Sequence, residues 1–358
     1  MTTTRSLSLA LLLSLAACSS SNPTSVTSTP SDAGAPLPPA DAGGGTRDAG
    51  GGADSGAPAS PAAMGTPRSL LAAVSGKDGK VRVFGGLAPL GPQTSMEAYD
   101  RAANAWKEGG SGKTRRYGHA AGELASGDVL VIGGTSDGKT PLASVEVYEP
   151  SADRWSSAPD LPSPRLGLAA ARGDGGKIYA IGGRDDAGAV TSTVYVYSPG
   201  ASAWTAGPPM PTPRMSLQAV GLPDGRIVAI GGRDDATTPL TTVEVLDTKT
   251  GQWTTGKPLL TPRYWFGATA GEGGKVYVAG GIGGLVGSFV DDAEVMDASG
   301  AWTALPKLPE PRAWNALAST PDGRVYAIGG AFLPAAAGQP PPVAEVTALD
   351  PKASAWTP

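Results

Sequence analysis

The chain has 358 residues and a formal net charge of −4, so it lacks the basic character of a nucleic-acid-binding protein. Its single cysteine excludes an intrachain disulfide, and its single histidine excludes a metal site built from several histidines. The 52 glycines and 34 prolines favour many short strands joined by turns.

An apolar run from Leu7 to Ala17 follows Arg5 near the N-terminus. Its eleven residues are too few to span a bilayer and are typical of the core of a signal peptide. The run ends Leu15-Ala16-Ala17-Cys18, which resembles the lipobox of bacterial lipoproteins. The resemblance implies that residues 1–17 are removed and that Cys18 carries a lipid anchor such as palmitate. An ordinary secretory signal with a chance cysteine is the alternative.

The segment that follows is predicted to be a stalk. Ser19 stands where enteric lipoproteins kept in the inner membrane have aspartate, so the resemblance implies an outer-membrane address at the cell envelope. Residues 18–60 are mostly Ser, Thr, Pro, Gly, Ala and Asp. Such a segment buries too little apolar surface to offset the entropy of ordering it, so we predict that it is disordered.

A repeat of about 49 residues fills residues 61–358. Each unit has a tight turn, a short apolar run and a Gly-Gly pair, a pattern that predicts a β-hairpin whose second strand is buried on both faces. A third strand follows, for example Val243-Glu244-Val245-Leu246, and then a tryptophan. An arginine opens the next unit. The pairs are Gly85-Gly86, Gly133-Gly134, Gly182-Gly183, Gly231-Gly232, Gly280-Gly281 and Gly329-Gly330.

Three residue types recur at fixed places and are predicted to be scaffolding. The arginines and glutamates are expected to brace neighbouring units, and the tryptophans to pack between them. The arginines are Arg68, Arg116, Arg165, Arg214, Arg263 and Arg312. The tryptophans are Trp106, Trp155, Trp204, Trp253, Trp302 and Trp356. The glutamates are Glu97, Glu146, Glu244, Glu294 and Glu345, with Tyr195 in the third unit.

This order of arginine, hairpin ending in Gly-Gly, strand with glutamate and tryptophan resembles the kelch repeat, whose period is near 50 residues. The resemblance implies an all-β fold, a six-bladed β-propeller of four-stranded kelch-type blades, present as a monomer. The numbering also predicts how the first and last units join to close the propeller. Trp356-Thr357-Pro358 ends the last unit where Pro61 would continue its outer strand, and Met64 precedes Arg68 by the same four residues as Met210 precedes Arg214.

Two aromatic residues outside the repeat pattern are candidates for ligand binding. Trp265 and Trp314 each follow a repeat arginine by two residues and are flanked by Tyr264, Phe266 and Asn315. The resemblance places this stretch near one mouth of the central channel. An exposed aromatic pair there would suit sugar stacking or peptide docking. Local core packing is the alternative.

The loops after Gly-Gly are expected to open on the same face. Two of them are near copies, Arg184-Asp185-Asp186 and Arg233-Asp234-Asp235, and a later loop carries Asp291-Asp292. Loop residues outside the repeat pattern are candidate recognition residues. Solvated loop charge is the alternative. Calcium binding is a further possibility, although no loop has a known ligand spacing, and we predict no metal or other cofactor.

Catalytic signals are weak. His119 stands where other units have Leu71, Leu168, Leu217 and Phe266, so we expect a partly buried histidine with its hydrogen bonds satisfied. There is no Ser–His–Asp order, P-loop or zinc motif.

The leading interpretation is a non-catalytic recognition module displayed at the cell envelope, with a glycan or a protein as ligand. It rests on the analogy of fold and anchor. One alternative is a metal-independent carbohydrate-active enzyme such as a sugar mutarotase, since kelch-type bacterial mutarotases exist. Another is a structural part of an envelope complex. A channel carboxylate with a displaced pKa would favour the enzyme.

Overall fold

The computed structural model describes residues 60–283, 288–332, 340–353 and 355–358. The predicted signal peptide, Cys18 and nearly all of the predicted stalk lie outside the described residues. Within the described ranges, no helix is long and apolar enough to cross a membrane. The regular structure is strands with two short 3-10 turns, Asp174–Gly176 and Glu272–Gly274. The all-β prediction is therefore confirmed.

The main strands form six antiparallel sheets in chain order, named here sheet 1 to sheet 6. Sheet 1 is Ala72–Ser75, Val81–Phe84, Met96–Asp100 and Ala105–Glu108. Sheet 2 is Ala120–Glu123, Val129–Ile132, Val145–Glu149 and Arg154–Ala158. Sheet 3 is Ala169–Arg172, Ile178–Ile181, Val194–Tyr197 and Thr205–Ala206. Sheet 4 is Gln218–Gly221, Arg226–Ile230, Val243–Asp247 and Gln252–Thr255. Sheet 5 is Gly267–Ala270, Val276–Ala279, Ala293–Met296 and Trp302–Leu305. Sheet 6 is Ala316–Ser319, Val325–Ile328 and Val346–Leu349.

Short strands lie between the main ones, and several pair at one end of the sheets. They are Leu87–Ala88, Gly91–Pro92, Arg263–Tyr264, Ile282–Gly283, Ser288–Phe289, Arg312–Ala313 and Ala331–Phe332.

The core lies between the sheets. The second strand of each sheet is buried on both faces, as Ile178–Ile181 shows, because sheets pack against it from both sides. Between sheets 6 and 1, for example, Val81 and Val83 pack with Tyr326 and Ile328 in one cluster. Each sheet alone would leave an apolar face in water, so its stability depends on both neighbours.

The sheets are arranged in a closed cycle. The first strand of each sheet contacts the first strand of the next, and that of sheet 6 contacts that of sheet 1. The second glycine of each Gly-Gly pair donates to the carbonyl of the next repeat arginine, from Gly86 to Arg116 (2.9 Å) round to Gly330 and Arg68 (2.7 Å). The first glycine of the pair also lies too close to this carbonyl for a side chain, since a Cβ atom on Gly133 would be 2.7 Å from the Arg165 carbonyl oxygen.

A second cycle of hydrogen bonds joins the residues two after the repeat arginines. These residues, named the ring here, are Leu70, Gly118, Gly167, Ser216, Trp265 and Trp314. The backbone N–H of each donates to the carbonyl of the preceding one, at 2.6–3.0 Å, and Leu70 N–H donates to Trp314 O. All six have positive φ, from 51° at Trp265 to 67° at Gly167, so the ring imposes one backbone conformation whatever the side chain.

Both chain ends contribute to sheet 6. Thr357 exchanges two backbone hydrogen bonds of 2.8 Å with Ala348, in the place of an outer strand. The N–H of Met64 donates to Ala344 O, as that of Met210 donates to Ser192 O in sheet 3. Both ends of the repeat region therefore contact sheet 6 beside its outer edge, as the numbering predicts, although the sheet itself has three regular strands.

The repeat arginines and glutamates form buried scaffolding, as predicted. Arg214 illustrates the arrangement: its guanidinium donates to Glu244 at 2.8 Å and to the Gly231 and Thr242 carbonyls at 2.9 Å. Similar ion pairs of 2.7–2.9 Å join Arg68 to Glu97, Arg116 to Glu146 and Arg263 to Glu294.

Two sheets depart from this pattern. Arg165 has no glutamate partner and bonds Thr193 and Tyr195 while its guanidinium covers the Tyr195 ring at 5.2 Å. Arg312 lies 4.0 Å from a partly exposed Glu345 and covers the ring of Phe332 at 4.8 Å. Burial lowers the pKa of Arg312 to about 10.

The repeat tryptophans tie neighbouring units together. Each indole N–H donates to a carbonyl about 45 residues earlier, as Trp155 does to Gly110 at 2.8 Å. At the junction of the chain ends, Trp106 donates to Ala62 and Trp356 to Pro306, both at 2.8 Å. These residues are structural.

Candidate functional site

The first strands of all six sheets enclose a central cavity of about 110 Å³. Much of its wall is alanine, and Trp265 and Trp314 line it from the ring. The end of the cavity at the ring is named the ring mouth here. The loops after Gly-Gly reach this mouth, because the residue after each pair bonds the residue just before a ring residue, as Arg184 bonds Leu166.

Trp265 extends across the ring mouth. Its Cη2 atom lies 3.1 Å from the position that a Cβ atom on Gly118 would occupy. Gly118 belongs to sheet 2, which lies opposite sheet 5 in the cycle of sheets. The indole therefore spans the mouth, and the absence of a side chain at Gly118 leaves room for it. Its φ of 51° is the backbone conformation that all six ring residues share.

Trp314 is held at the side of the mouth. Its ring packs edge to face on Phe289, with centroids 5.2 Å apart, and Phe289 comes from the loop after the fifth Gly-Gly pair. Both Trp265 and Trp314 are partly buried. The sequence-based picture of an exposed pair is thus corrected, because one indole crosses the mouth and the other rests on a loop.

Tyr264 and Arg233 form a contact between sheets 4 and 5 at the same mouth. The Arg233 guanidinium lies over the Tyr264 ring, 5.7 Å from its centroid, which is the geometry of a cation–π interaction. Burial lowers the pKa of Arg233, and the nearby charge of Arg184 lowers it further. Burial raises the pKa of the Tyr264 hydroxyl.

Arg184 occupies the same place in sheet 3 as Arg233 does in sheet 4. Two backbone hydrogen bonds, of 2.8 and 3.0 Å, fix it to Leu166. Its side chain donates one long bond, 3.4 Å, to the Lys139 carbonyl, and its buried Nε has no partner among the described residues. Both arginines are partly buried.

The aspartates of the two near-copy loops have a different role. Asp185 accepts from Ala189 N–H and Asp234 from Thr238 N–H, each at 2.9 Å, so both stabilise their own loops. Asp235 accepts from Val190 N–H of the neighbouring loop at 3.1 Å, and Asp186 is exposed. Asp185, Asp234 and Asp235 therefore bond loop backbone, whereas the arginine side chains of the same loops do not bond these aspartates.

The other acidic pair, Asp291-Asp292, contacts an ammonium group. Lys307 Nζ lies 2.8 Å from Asp291 and 3.2 Å from Asp292. Among the described residues, no group of three or more potential metal ligands comes together. The Lys307 ammonium offsets one of the two carboxylate charges that would attract calcium.

His119 differs from its prediction. It is deeply buried, and neither ring nitrogen has a partner of good hydrogen-bond geometry within the described chain, although a backbone group of Phe84 lies close enough to raise its pKa. Burial lowers its pKa to about 3, and the charge of Arg116 adds to the effect. Asn315, at the same place in sheet 6, is also buried; its Nδ2 donates to Ala279 O at 3.4 Å, while its Oδ1 has no partner. Both lie between sheets at the cavity wall.

Two residues of the site were not predicted. Gln218 lines the cavity where four other units have alanine, and its Nε2 donates to Phe266 O at 2.8 Å. Its departure from the repeat is a signal of the kind that identified Trp265. Phe289 had no comparable signal, because its loop has no counterpart of similar length and composition.

Comparisons with known proteins agree with this architecture. Residues 175–358 match a family described as the KLHDC2/KLHL20/DRC7 Kelch-repeats domain, and residues 115–162 match the Kelch motif. A solved structure titled "Structure of YjhT" is 16% identical, covers 82% of this chain and 98% of its own, and superposes with a TM-score of 0.69. Its likeness is one of fold, that of a kelch-type propeller. No curated protein sequence matches. The chain belongs to the kelch-repeat family.

Proposed function

We propose that this protein is a recognition module that binds its ligand at the ring mouth. The observation that carries the proposal is that Trp265 and Trp314 line one end of the central cavity, while Arg233 and Tyr264 contact each other next to the ring. Aromatic faces beside a cation at a concave site are typical of ligand-binding pockets. A catalytic role has less support, since the described cavity lining has no carboxylate.

The proposed architecture is a propeller of six blades, each built on four strands. The closed cycle of first-strand contacts and the two cycles of backbone hydrogen bonds support it. Sheet 6 supports it as well, since Thr357 supplies the place of a fourth strand. We take the blades as a rigid frame on which the loops at the ring mouth vary.

The proposed location is the outer membrane, with the protein held by a lipid on Cys18. Support comes from the lipobox-like Leu15-Ala16-Ala17-Cys18 and the following Ser19. Residues 18–60 would hold the module away from the membrane as a flexible stalk. Cells expressing Cys18→Ser should lose lipid labelling and release the protein from the membrane fraction. Continued labelling of that variant would contradict the anchor.

The binding proposal is tested on the full chain, purified in detergent, by thermal shift against a panel of neutral and acidic oligosaccharides. A ligand that binds only the folded state stabilises it by RT ln(1 + L/Kd), where L is the free ligand concentration, so the melting temperature rises with ligand concentration. Trp265→Ala and Trp314→Ala should weaken that response. Leu260→Ala is the control, because Leu260 is an exposed apolar residue outside the loops after the Gly-Gly pairs.

Loss of binding in both tryptophan variants and not in the control would support the ring mouth. An equal response in all four proteins would place the ligand elsewhere. Failure of every glycan, with all variants folded, would count against a carbohydrate ligand at this mouth and lead to a search for a protein partner.

A further inference from the structure

Arg233 differs from the scaffold arginines in having no acceptor. The guanidinium of Arg214, the repeat arginine that precedes Arg233 in the sequence, donates to Glu244 and to two carbonyls. Arg233 makes no side-chain hydrogen bond and no ion pair within 4.0 Å to any described residue. Its contact is with the Tyr264 ring, at 5.7 Å. The side chain is only partly buried, so its donors remain available to a ligand.

Two contacts hold the Arg233 side chain in place without a carboxylate: backbone hydrogen bonds at its base and the Tyr264 ring beside its guanidinium. The backbone of Arg233 exchanges hydrogen bonds of 2.9 and 3.1 Å with Met215, which fixes where the side chain begins. The Tyr264 ring supports one face of the guanidinium. A planar cation held in this way keeps its donor edge free and loses little entropy when it binds.

The acidic residues of the same loop form no hydrogen bond or ion pair with Arg233. Asp234 and Asp235 follow it directly in the sequence, and their charges raise its pKa, yet their hydrogen bonds go to Thr238 N–H and Val190 N–H. Arg184, with a single long bond to a carbonyl, lies close enough to lower the pKa of Arg233. The two arginines therefore lie near each other beside the ring, and neither forms an ion pair with a described carboxylate.

We propose that Arg233, supported by Tyr264 and by the charge of Arg184, binds a compact oxyanion carried by the ligand, a carboxylate or a phosphate. The planar fork of arginine matches either group with two parallel hydrogen bonds. This inference rests on the proposed function and names the chemistry of its ligand. A ligand that also stacks on Trp265 would place its anionic group beside sheets 3 and 4.

The test measures melting temperature of the full chain against glucuronate, glucose 6-phosphate and glucose at constant ionic strength. The two anionic sugars distinguish a carboxylate from a phosphate, and glucose shows what the sugar alone contributes. Arg233→Gln should weaken binding of the preferred anion about tenfold or more. Arg233→Lys should restore part of it, because charge returns without the fork. Arg184→Gln should have a smaller effect.

Arg154→Gln is the matched control, since Arg154 is an exposed arginine on the outer strand of sheet 2. Saturable binding of one anion that Arg233→Gln weakens and Arg154→Gln does not would support the site. Equal loss in both variants, or none in Arg233→Gln, would overturn it. A neutral glycan that binds normally to Arg233→Gln and poorly to Trp265→Ala would overturn the oxyanion site and leave the proposed function standing.

Discussion

The imidazole of His119 lies against Gly85 of the preceding unit, so that a Cβ atom on Gly85 would be 2.9 Å from His119 Cε1. Leu71, Leu168 and Leu217 take this place in three other units. Because a buried polar atom without a partner costs about 1–3 kcal/mol, we expect His119→Leu to raise the free energy of unfolding by a similar amount. Denaturant unfolding measures it. Leu168→His is the reverse control and should destabilise; a less stable His119→Leu protein would contradict this account.

The same histidine predicts how stability depends on pH. Burial lowers the pKa of His119 from 6.5 to about 3, so between these values the unfolded chain takes up a proton that the folded protein does not. Stability is therefore fully present above pH 6.5 and falls with decreasing pH, by at most about 1.4 kcal/mol per pH unit.

Denaturant unfolding between pH 7.5 and 5 tests this dependence. His119 is the only histidine, so His119→Leu should flatten the profile over most of this range. A profile that is unchanged in the variant would show that another group is responsible.

The repeat ion pairs should differ in their contribution to stability. Glu244 is buried 2.8 Å from an equally buried Arg214, whereas Glu345 is 45% exposed and 4.0 Å from Arg312. Glu244→Ala leaves an unpaired buried cation and should cost about 3–5 kcal/mol of unfolding free energy. Glu345→Ala should cost less than about 1 kcal/mol. Similar losses in the two variants, measured by denaturant unfolding, would contradict this ranking.

Closure by the chain ends can be tested by truncation. Removing residues 354–358 deletes the buried Trp356, its bond to Pro306 and both bonds between Thr357 and Ala348. We expect the melting temperature to fall on the order of 10 °C, since removing a buried tryptophan side chain alone costs several kcal/mol. Removing only the exposed Pro358 is the control. An unchanged melting temperature after the longer truncation would show that sheet 6 does not need this segment.

Much of the scaffold could be predicted because the same residue types recur at the same places in successive units. The Arg214–Glu244 pair, the tryptophan bonds and the position of Met64 beside the last unit all follow from alignment of the units. Tyr195 marks one of the two looser arginine environments, whereas Glu345 follows the sequence pattern and its 4.0 Å distance from Arg312 was not predictable.

The ring mouth was harder to predict. The residue type at position 265 was visible, but its positive φ and its reach to Gly118 arise from closure of the ring, to which all units contribute. The separation of Arg233 from Asp234 and Asp235 depends on loop turns that a single sequence does not specify. The apolar residues at the same place in other units predicted that His119 is buried. They could not predict which hydrogen-bond partners its ring nitrogens would find.

The ring is made of main-chain atoms alone. Leucine, glycine, serine and tryptophan all occupy it with the same backbone geometry, so its hydrogen bonds form with side chains of very different size. Single substitutions at ring positions can therefore change the side chains at the ring mouth while the hydrogen bonds of the ring are kept. In this protein, such freedom would let a lineage exchange one ligand for another without refolding its scaffold.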